Sequence, residues 1–430
     1  MHRTHYSWMM KMRMIVNLFY DCMRTFKIAY GLLVLILFAE GKGWSQIAIR
    51  ADMIYTVTKG IISHGIILIR DKKIEKVGTN ISIPSGYTVY EAKAVTPGLI
   101  DARSQVGISG PLNIAADQDQ IEKSSPIQPD LRAIDAYNPE DKLVEYLRSN
   151  GVTTIHTGHG IGALVSGQTI VVKTKPGLID QVLLQPLTMI AMTVGSTVGA
   201  YYTSPGTKPK QIAMLREELV KAQDYMKKKN AADTSKRPSP DLNKEVLVRL
   251  LHGEIKGMID ANTTVDILSA IRLAKEFGFK LVLEGVAEGY RVIDDIKASG
   301  AEVIVHPTMA RAGGETANLT MENAAILTKA GIPVSIESGC EGYVPKTRVI
   351  LFEAAVAVGR GGLPFDAALQ SITMNPAKLL GLDKRIGSIE VGKDADLVLY
   401  SGDPFEYTTK VCRVIIDGQL VSDNCSPVTP

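Results

Sequence analysis

The chain has 430 residues and a mass of 46.6 kDa, with 45% hydrophobic and 22% charged residues. These proportions are typical of globular proteins and exclude a mainly disordered chain and a coiled coil. The formal net charge is only +3, so the sequence predicts no nucleic-acid-binding surface. The chain contains just 7 histidines and 4 cysteines.

The N-terminus has the pattern of a secretory signal over residues 1–45. A basic stretch, Arg24–Lys27, precedes the apolar run Ile28–Ala39, and the small residues Gly43 and Ser45 precede a cleavage position. The apolar run is shorter than the roughly 20 residues that span a bilayer core. We therefore expect export, to the periplasm, with no stable membrane span after processing. The alternative is a membrane anchor formed by an uncleaved segment.

Translation starting at Met23 would fit this signal pattern, and residues 1–22 would then lie upstream of the true start. Removal of residues 1–45 leaves Cys340, Cys412 and Cys425, which allow at most one internal disulfide. Cys412 and Cys425 are the favoured pair because a strand and the tail that follows it can return close together. Three free buried thiols are the alternative.

Both ends of the remaining chain predict short strands. Residues 46–95 are rich in β-branched residues between turn residues. Residues 386–425 show the same pattern, before a tail at 426–430. We expect the two pieces to form one small β domain.

The middle of the chain, residues 96–385, alternates apolar runs with amphipathic helices. The predicted helices include one capped by Asn138 with Pro139 at its first position, and further helices over the ranges 208–229, 264–277 and 286–299. The predicted strands between and after them are 280–283, 301–305 and 332–336. Repeated strand–helix units of this kind predict a parallel sheet, and their number predicts a (β/α)8 TIM-type barrel.

Several segments resemble one known family. The segments that show the resemblance are Ala94–Ala102, Asp135–Asp141, Leu147–Thr154, Met374–Leu382 and Ile386–Leu399. Together they resemble the amidohydrolase superfamily, and in particular its imidazolonepropionase-like branch, over about residues 47–422. The resemblance implies a (β/α)8 barrel with a composite β-sandwich domain built from both chain ends.

Members of this superfamily hold zinc or another divalent metal at the C-terminal mouth of the barrel, where the metal acidifies a bound water. The usual ligands are a His-x-His on strand 1, a modified Lys on strand 4, a His on each of strands 5 and 6, and an Asp on strand 8. Neutral imidazole and carboxylate suit such ions because each offers a lone pair from a rigid position.

This sequence departs from that pattern at every position that can be matched. The residues at the usual ligand positions are Arg103 and Gln105 on strand 1, Asp260 and Asn262 on strand 5, Gly285 on strand 6 and Gly339 on strand 8. The strand 4 region, 187–193, contains no Lys. Because a guanidinium offers no lone pair and repels a cation, we expect no metal and no other cofactor.

The polar residues at the predicted strand ends define a candidate pocket at the barrel mouth. Its predicted members are Arg103, Gln105, His156, Asp260, Asn262, Glu284, His306 and Glu337. Arg103 is expected to take the place of the metal and to pair with a carboxylate in bidentate geometry. A relocated zinc site using His156, His306 and Asp260 is the alternative.

Two classes of function follow. By ancestry the chain is a hydrolase of C–N bonds other than those of linear peptides in general, here degenerate because the metal ligands are replaced. Such a protein would bind a small molecule, or pair with an intact amidohydrolase relative or with its own copy. The alternative is an active hydrolase of cyclic amides or dipeptides with a rebuilt or metal-free site.

Overall fold

Seventeen strands in three sheets, with eleven α-helices, make up the part of the chain that the structure describes. The structure is a computed structural model, and it describes residues 46–112, 114–305, 312–339 and 350–425. The predictions for the signal segment 1–45, for His306 and for Cys340 lie outside these residues. The strands are β1 (Ile47–Tyr55), β2 (Ile61–Arg70), β3 (Lys73–Gly78), β4 (Thr88–Pro97), β5 (Leu99–Ser104), β6 (Val152–Thr157), β7 (Val165–Gln168), β8 (Ile170–Lys173), β9 (Leu183–Gln185), β10 (Met189–Thr193), β11 (Lys256–Ala261), β12 (Leu281–Gly285), β13 (Glu302–Val305), β14 (Val334–Ile336), β15 (Leu397–Tyr400), β16 (Val411–Ile416) and β17 (Gln419–Asp423).

The helices lie between and after the central strands. They are α1 (Lys142–Ser149), α2 (Ile179–Val182), α3 (Thr197–Tyr201), α4 (Lys208–Lys229), α5 (Leu242–Leu251), α6 (Thr264–Phe277), α7 (Ile293–Ser299), α8 (Asn323–Lys329), α9 (Ile350–Gly359), α10 (Phe365–Ser371) and α11 (Met374–Leu379). Among the described residues, none of these helices combines the length and apolar character needed to cross a bilayer.

One seven-stranded sheet takes strands from both chain ends, in the order β17-β16-β15-β4-β1-β2-β3. The junction is the antiparallel pair of β4 and β15, with Leu397 opposite Pro97 and Tyr400 opposite Ala94. Its isoleucine-rich face is buried, as Ile49, Ile67 and others in one apolar cluster show. The expected joining of the two ends is therefore confirmed for the sheet, whereas a sandwich and the domain limits at 95 and 386 remain predictions.

The central strands form two further sheets, in the orders β14-β13-β12-β11-β10-β7 and β5-β6-β8-β9. Strands β10 to β14 run parallel and their residues are almost all buried, because helices cover such sheets. In a parallel sheet the carboxyl ends of neighbouring strands meet at one edge. The described strands do not form one hydrogen-bonded ring, so the closed barrel remains a prediction.

Local capping explains the clearest helix. Thr263 accepts a hydrogen bond from the backbone N–H of Asp266 at the start of α6, and Gly278 ends it with φ +73°. Two local predictions were wrong. Helix α1 begins three residues later than Pro139, with Asp141 as the cap that accepts from Leu143 N–H at 2.6 Å.

The second wrong prediction is the helix over 286–299. It begins with an irregular turn and one 3₁₀ turn at Gly289–Arg291, and only Ile293–Ser299 is α-helical. The left-handed backbone at Val286, φ +53°, prevents the helix from beginning there.

A buried ion cluster joins the seven-stranded sheet to β8. Lys173 lies within 3.0 Å of both Asp394 and Asp396 and also contacts Asp417. Burial raises the pKa of Asp394, but Lys173 and two further cations outweigh it and lower that pKa to about 2. The three carboxylates therefore keep Lys173 charged although it is 2% exposed.

Candidate active site

The carboxyl ends of the central strands bring together one arginine and four acidic residues. Arg103 lies on β5, Glu284 is near the end of β12, and Asp260 lies opposite Glu284 on β11. Glu337 follows β14 directly, and Asp101 precedes Arg103 by two residues. Each of these side chains is at most 2% exposed, so they interact in a medium that solvates charge poorly.

Arg103 contacts a carboxylate and two backbone oxygens. Its Nε lies 3.4 Å from Oε1 of Glu284. Its Nη1 donates to the carbonyl oxygen of Ser104 at 2.8 Å, and its Nη2 donates to the carbonyl oxygen of His159. Arg103 therefore contacts a carboxylate at this edge through Nε, and bidentate pairing, which would align two parallel N–H···O bonds, remains a prediction.

Asp101 connects β5 to the end of β14. Its Oδ1 accepts hydrogen bonds from the backbone N–H of Ser338 at 3.0 Å and of Arg103 at 3.3 Å. Burial raises the pKa of Asp101 to about 7, against the lowering effect of Ser338 and Arg103. Asp101 was not among the predicted pocket residues. Its position two residues before Arg103 on the same strand puts both side chains on one face, which could have indicated it.

The other carboxyl groups are also shifted toward their neutral forms. Burial raises the pKa of Asp260 well above its usual value, and Glu284 and Glu315 raise it further. Burial together with Glu284 raises the pKa of Glu337 in the same way. Burial also raises the pKa of Glu284, whereas Arg103 lowers it. Glu284 is thus the acid whose charged form the guanidinium favours directly, whereas burial and like charges favour the neutral forms of its neighbours.

Asn262 and Asp260 fill the space beside Gly285. The Nδ2 of Asn262 lies 3.2 Å from Oδ2 of Asp260. A Cβ atom built on Gly285 would lie 2.6 Å from Asn262 Oδ1 and 2.9 Å from Asp260 Oδ2, and Gly285 has φ +83°. A larger residue at position 285 therefore meets both a strained backbone and an occupied volume.

His156 is held by its neighbours on both ring nitrogens. Its Nδ1 lies 2.8 Å from the carbonyl oxygen of Ala102, so Nδ1 carries the hydrogen, and its Nε2 lies 2.7 Å from Thr169 Oγ1. Burial, with a contribution from Arg103, lowers its pKa to about 3. The relocated zinc site is thus not supported at His156, because neither nitrogen is directed to a shared ligand position.

The remaining candidates are spread around this cluster. Gln105 is buried beside Gly160, and Gly339 has φ +91°, a conformation that disfavours any side chain. His159 was missed as a site residue; its carbonyl oxygen accepts from Arg103, and burial lowers the pKa of its ring to about 4. Two further histidines lie elsewhere, one in β2 and one after α5: His64 and His252.

These residues do not fit the divalent metal of the resembled family. Arg103 brings a positive charge to the strand ends, and both ring nitrogens of His156 already have partners. Burial raises the pKa of Asp260 near Arg103, which weakens it as a metal ligand. Within residues 46–112, 114–305, 312–339 and 350–425, no group of three His, Cys, Asp or Glu side chains is placed to hold a metal ion.

Comparison with known proteins agrees with the resemblance. Residues 259–422 match the model of an amidohydrolase family. The chain is 24% identical to the imidazolonepropionase of Thermoplasma volcanium over 391 residues, covering 84% of this chain and 91% of that protein. It is 23% identical over 401 residues to the amidohydrolase tasK of Hapsidospora irregularis, covering 84% of this chain but only 40% of that longer protein.

A solved structure covers nearly the whole described region. The amidohydrolase of Thermotoga maritima MSB8 has a TM-score of 0.83 and 32% identity, covering 88% of this chain and 100% of that one. A prolidase with 16% identity and a TM-score of 0.53 shares the fold alone. The chain belongs to the amidohydrolase superfamily, in its imidazolonepropionase-like branch.

Proposed function

We propose that this amidohydrolase-family protein has exchanged the catalytic metal for a buried arginine–carboxylate centre and has lost metal-dependent hydrolysis of C–N bonds. The observation that carries this proposal is the contact of Arg103 Nε with Glu284 at 3.4 Å, at the strand ends where relatives place metal ligands. The guanidinium supplies a fixed positive charge there. It cannot acidify a bound water as a divalent ion does.

The surrounding acids support the same proposal. Asp101, Asp260 and Glu337 have raised pKa values, and a protonated carboxyl group is a poor metal ligand. A divalent ion entering beside Arg103 would face an unscreened like charge in a low-dielectric environment.

Steric fit gives independent support. The volume that a His side chain would need at position 285 is occupied by Asn262 and Asp260, as the 2.6 Å and 2.9 Å distances from a built Cβ indicate. The replaced positions therefore form a mutually adapted set. Restoring one ligand position at a time would introduce a clash rather than a coordination bond.

The scaffold in this proposal is a closed (β/α)8 barrel with a composite β-sandwich. The hydrogen bond from Ser338 to Asp101 supports closure, because it connects the end of β14 to β5, the strand at one edge of the other central sheet. The mouth of such a barrel binds a small molecule, and the chain assembles with an intact amidohydrolase relative or with its own copy.

Export of the chain is part of the same proposal. The basic-then-apolar pattern of residues 1–45 supports a signal peptide, with periplasmic release or retention as an anchor as its two outcomes. The Cys412–Cys425 disulfide is typical of proteins that fold in oxidising compartments. Mass spectrometry of the secreted chain should find an N-terminus at or near Gln46, and an intact N-terminus in the cell would contradict processing.

The decisive experiment combines metal analysis with activity. Purified chain, with and without added zinc, is assayed against dipeptides and hydantoin-like cyclic amides, and its metal content is measured by elemental analysis. We expect substoichiometric metal and no turnover. Stoichiometric metal with turnover would refute the proposal, and turnover without metal would favour the metal-free hydrolase.

A double variant tests the mutual adaptation of the site. Arg103→His with Gln105→His restores the first ligand pair and should restore neither zinc binding nor hydrolysis, because positions 285 and 339 remain glycine. Zinc binding by this double variant would show that the rest of the site is still competent to hold the ion.

A further inference from the structure

The last strand of the chain is held with little help from apolar burial. Strand β17 lies at the edge of the seven-stranded sheet, and none of its five residues is buried. Its only neighbour in the sheet is β16, to which it pairs from Arg413 opposite Asp423 to Ile416 opposite Gln419. A strand with so few buried contacts opens at a low free energy unless other bonds fasten it.

Ionic bonds fasten the turn between β16 and β17. Asp417 contacts Lys173, and its Oδ2 lies 2.6 Å from Lys175 Nζ. The backbone N–H of Asp417 also donates to Asp396 at 2.8 Å. Because Lys173 is 2% exposed, water competes poorly for these bonds, and the turn end is firmly held.

A disulfide fastens the opposite, open end of the same hairpin. Cys412 in β16 bonds to Cys425, just after β17, with their Cα atoms 4.8 Å apart. Two hydrogen bonds also join Asn424 to β16 here: its backbone N–H donates to the carbonyl oxygen of Cys412 at 2.7 Å, and its Nδ2 to that of Val411 at 3.2 Å. Each non-covalent bond at this end is weaker than the disulfide. An ion pair joins Arg413 to Asp423 at 3.0 Å near the surface, and Asn424 Nδ2 donates to the carbonyl oxygen of Ser149 at 2.9 Å.

The disulfide is within reach of a thiol in solution. Cys425 is exposed and Cys412 is half-buried, so the sulfur of Cys425 can be attacked from outside. A small thiolate RS⁻ would bond to Cys425 and release Cys412 as a thiolate. A second RS⁻ would then attack the R-bearing sulfur of this mixed disulfide, which forms RSSR and releases the Cys425 thiolate. The two protons given up by the two RSH molecules protonate the two cysteine thiolates.

We propose that the Cys412–Cys425 disulfide is a redox latch on the C-terminal hairpin. When it is closed, β17 remains paired to β16, and Asn424 stays against α1. When two equivalents of thiol reduce it, the hairpin loosens from its open end and remains held at Asp417. The site around Arg103 takes no part in this step, so the latch is independent of the proposed function.

Opening the latch also changes a surface groove. Asn424 forms part of the wall of a groove of about 470 Å³ that is lined by the aromatic side chains of Phe352, Phe405 and Tyr407. After reduction only hydrogen bonds hold Asn424, so this part of the wall opens more readily than in the oxidised form.

Hydrogen–deuterium exchange of the full chain tests the latch. A Cys22→Ser, Cys340→Ser background leaves Cys412 and Cys425 as the only cysteines, and the oxidised and dithiothreitol-reduced forms are compared by mass spectrometry. Residues 419–424 should exchange at least about tenfold faster after reduction, since closing a loop of about 15 residues restricts the open chain by up to about a hundredfold. Residues 414–416 should change less than about threefold because they are buried.

Cys425→Ser in the same background is the matched control. It should exchange like the reduced form and should not respond to dithiothreitol. Equal exchange of 419–424 in the oxidised and reduced forms would overturn the proposal. So would failure of the two thiols to pair under aerobic conditions, or exchange that accelerates throughout residues 46–425.

Discussion

Replacing Arg103 by methionine removes the only cation in direct contact with Glu284 among the described residues, while retaining much of the apolar volume. Three polar groups then lose a partner at once, namely the Glu284 carboxylate and the carbonyl oxygens of Ser104 and His159. None of them gains access to water, because the pocket around Arg103 is fully buried. The Arg103→Met variant should therefore be less stable than the wild type, and the loss should depend on pH.

The expected loss is about 3–5 kcal/mol at pH 8, the usual cost of leaving a buried charge without its partner. Protonation of Glu284 limits this cost at lower pH. Arg103 lowers the pKa values of Glu284, Asp260, Asp101 and Glu337, so its removal raises all four. The variant then binds more protons in the folded than in the unfolded state. Its stability falls as pH rises, so the penalty should be smaller at pH 5 than at pH 8.

Urea unfolding followed by far-UV circular dichroism measures this difference. Tryptophan fluorescence is less suitable because both tryptophans, Trp8 and Trp44, lie in the N-terminal segment. Arg103→Lys keeps a charge but not the geometry and should lose less stability. Arg216→Met is the surface control, since its ion pair with Glu276 is about half exposed and worth at most about 1 kcal/mol.

A variant Arg103→Met as stable as the wild type at pH 8 would refute the assignment of Arg103 as the replacement cation. A penalty that grows as pH falls would also refute it, because protonated acids do not need a guanidinium. A loss of the same size in Arg216→Met would show that the assay reports arginine removal in general.

Three further predictions concern stability. Lys173→Met should cost about 3–5 kcal/mol in urea unfolding, because its buried carboxylate neighbours lose their shared cation; a cost below about 1 kcal/mol would contradict the cluster's role. Asp101→Asn should flatten the pH dependence of wild-type stability, which we expect to fall by up to about 1.4 kcal/mol per pH unit between about pH 4 and 7, because the folded pKa is about 7 and the unfolded about 4. Identical slopes in the two proteins would exclude Asp101 as the titrating group. Gly285→Ala should lower the thermal midpoint more than Gly278→Ala, since both have positive φ but only position 285 also meets an oxygen at 2.6 Å, whereas no atom lies within 4 Å at position 278; equal shifts would show that the neighbouring side chains move aside.

Local patterns in the sequence were reliable where one short-range bond decides the structure. Helices α4 and α6 match the predicted limits, and Gly278 ends α6 because a left-handed C-cap favours glycine. The start of α1 was wrong because Asn138 and Asp141 both offer a side-chain oxygen that can cap a helix, and Pro139 suits the first helical position. The choice among them depends on how the preceding turn meets the strands.

The joining of the two chain ends and the Cys412–Cys425 bond were also predictable, the first as a sheet and the second as the favoured pair. The alternating apolar pattern and β-branched residues of the two chain ends predict strands that share a buried face. The ion cluster that fastens this sheet was not predictable. Lys173, Asp394 and Asp417 are far apart in sequence, and each alone reads as an ordinary surface charge.

The sequence by itself determined that Arg103, Asn262 and Gly285 are not imidazole ligands, because residue identity is sufficient for that. That they stand at the family's ligand positions remains a prediction. Only the tertiary structure decided what these residues do instead. It directed Arg103 through Nε to Glu284, placed Asn262 in the space beside Gly285, and raised the pKa values of the neighbouring acids. Distances between strand ends and exclusion of water set these properties, and both arise only when residues remote in sequence meet in a buried space.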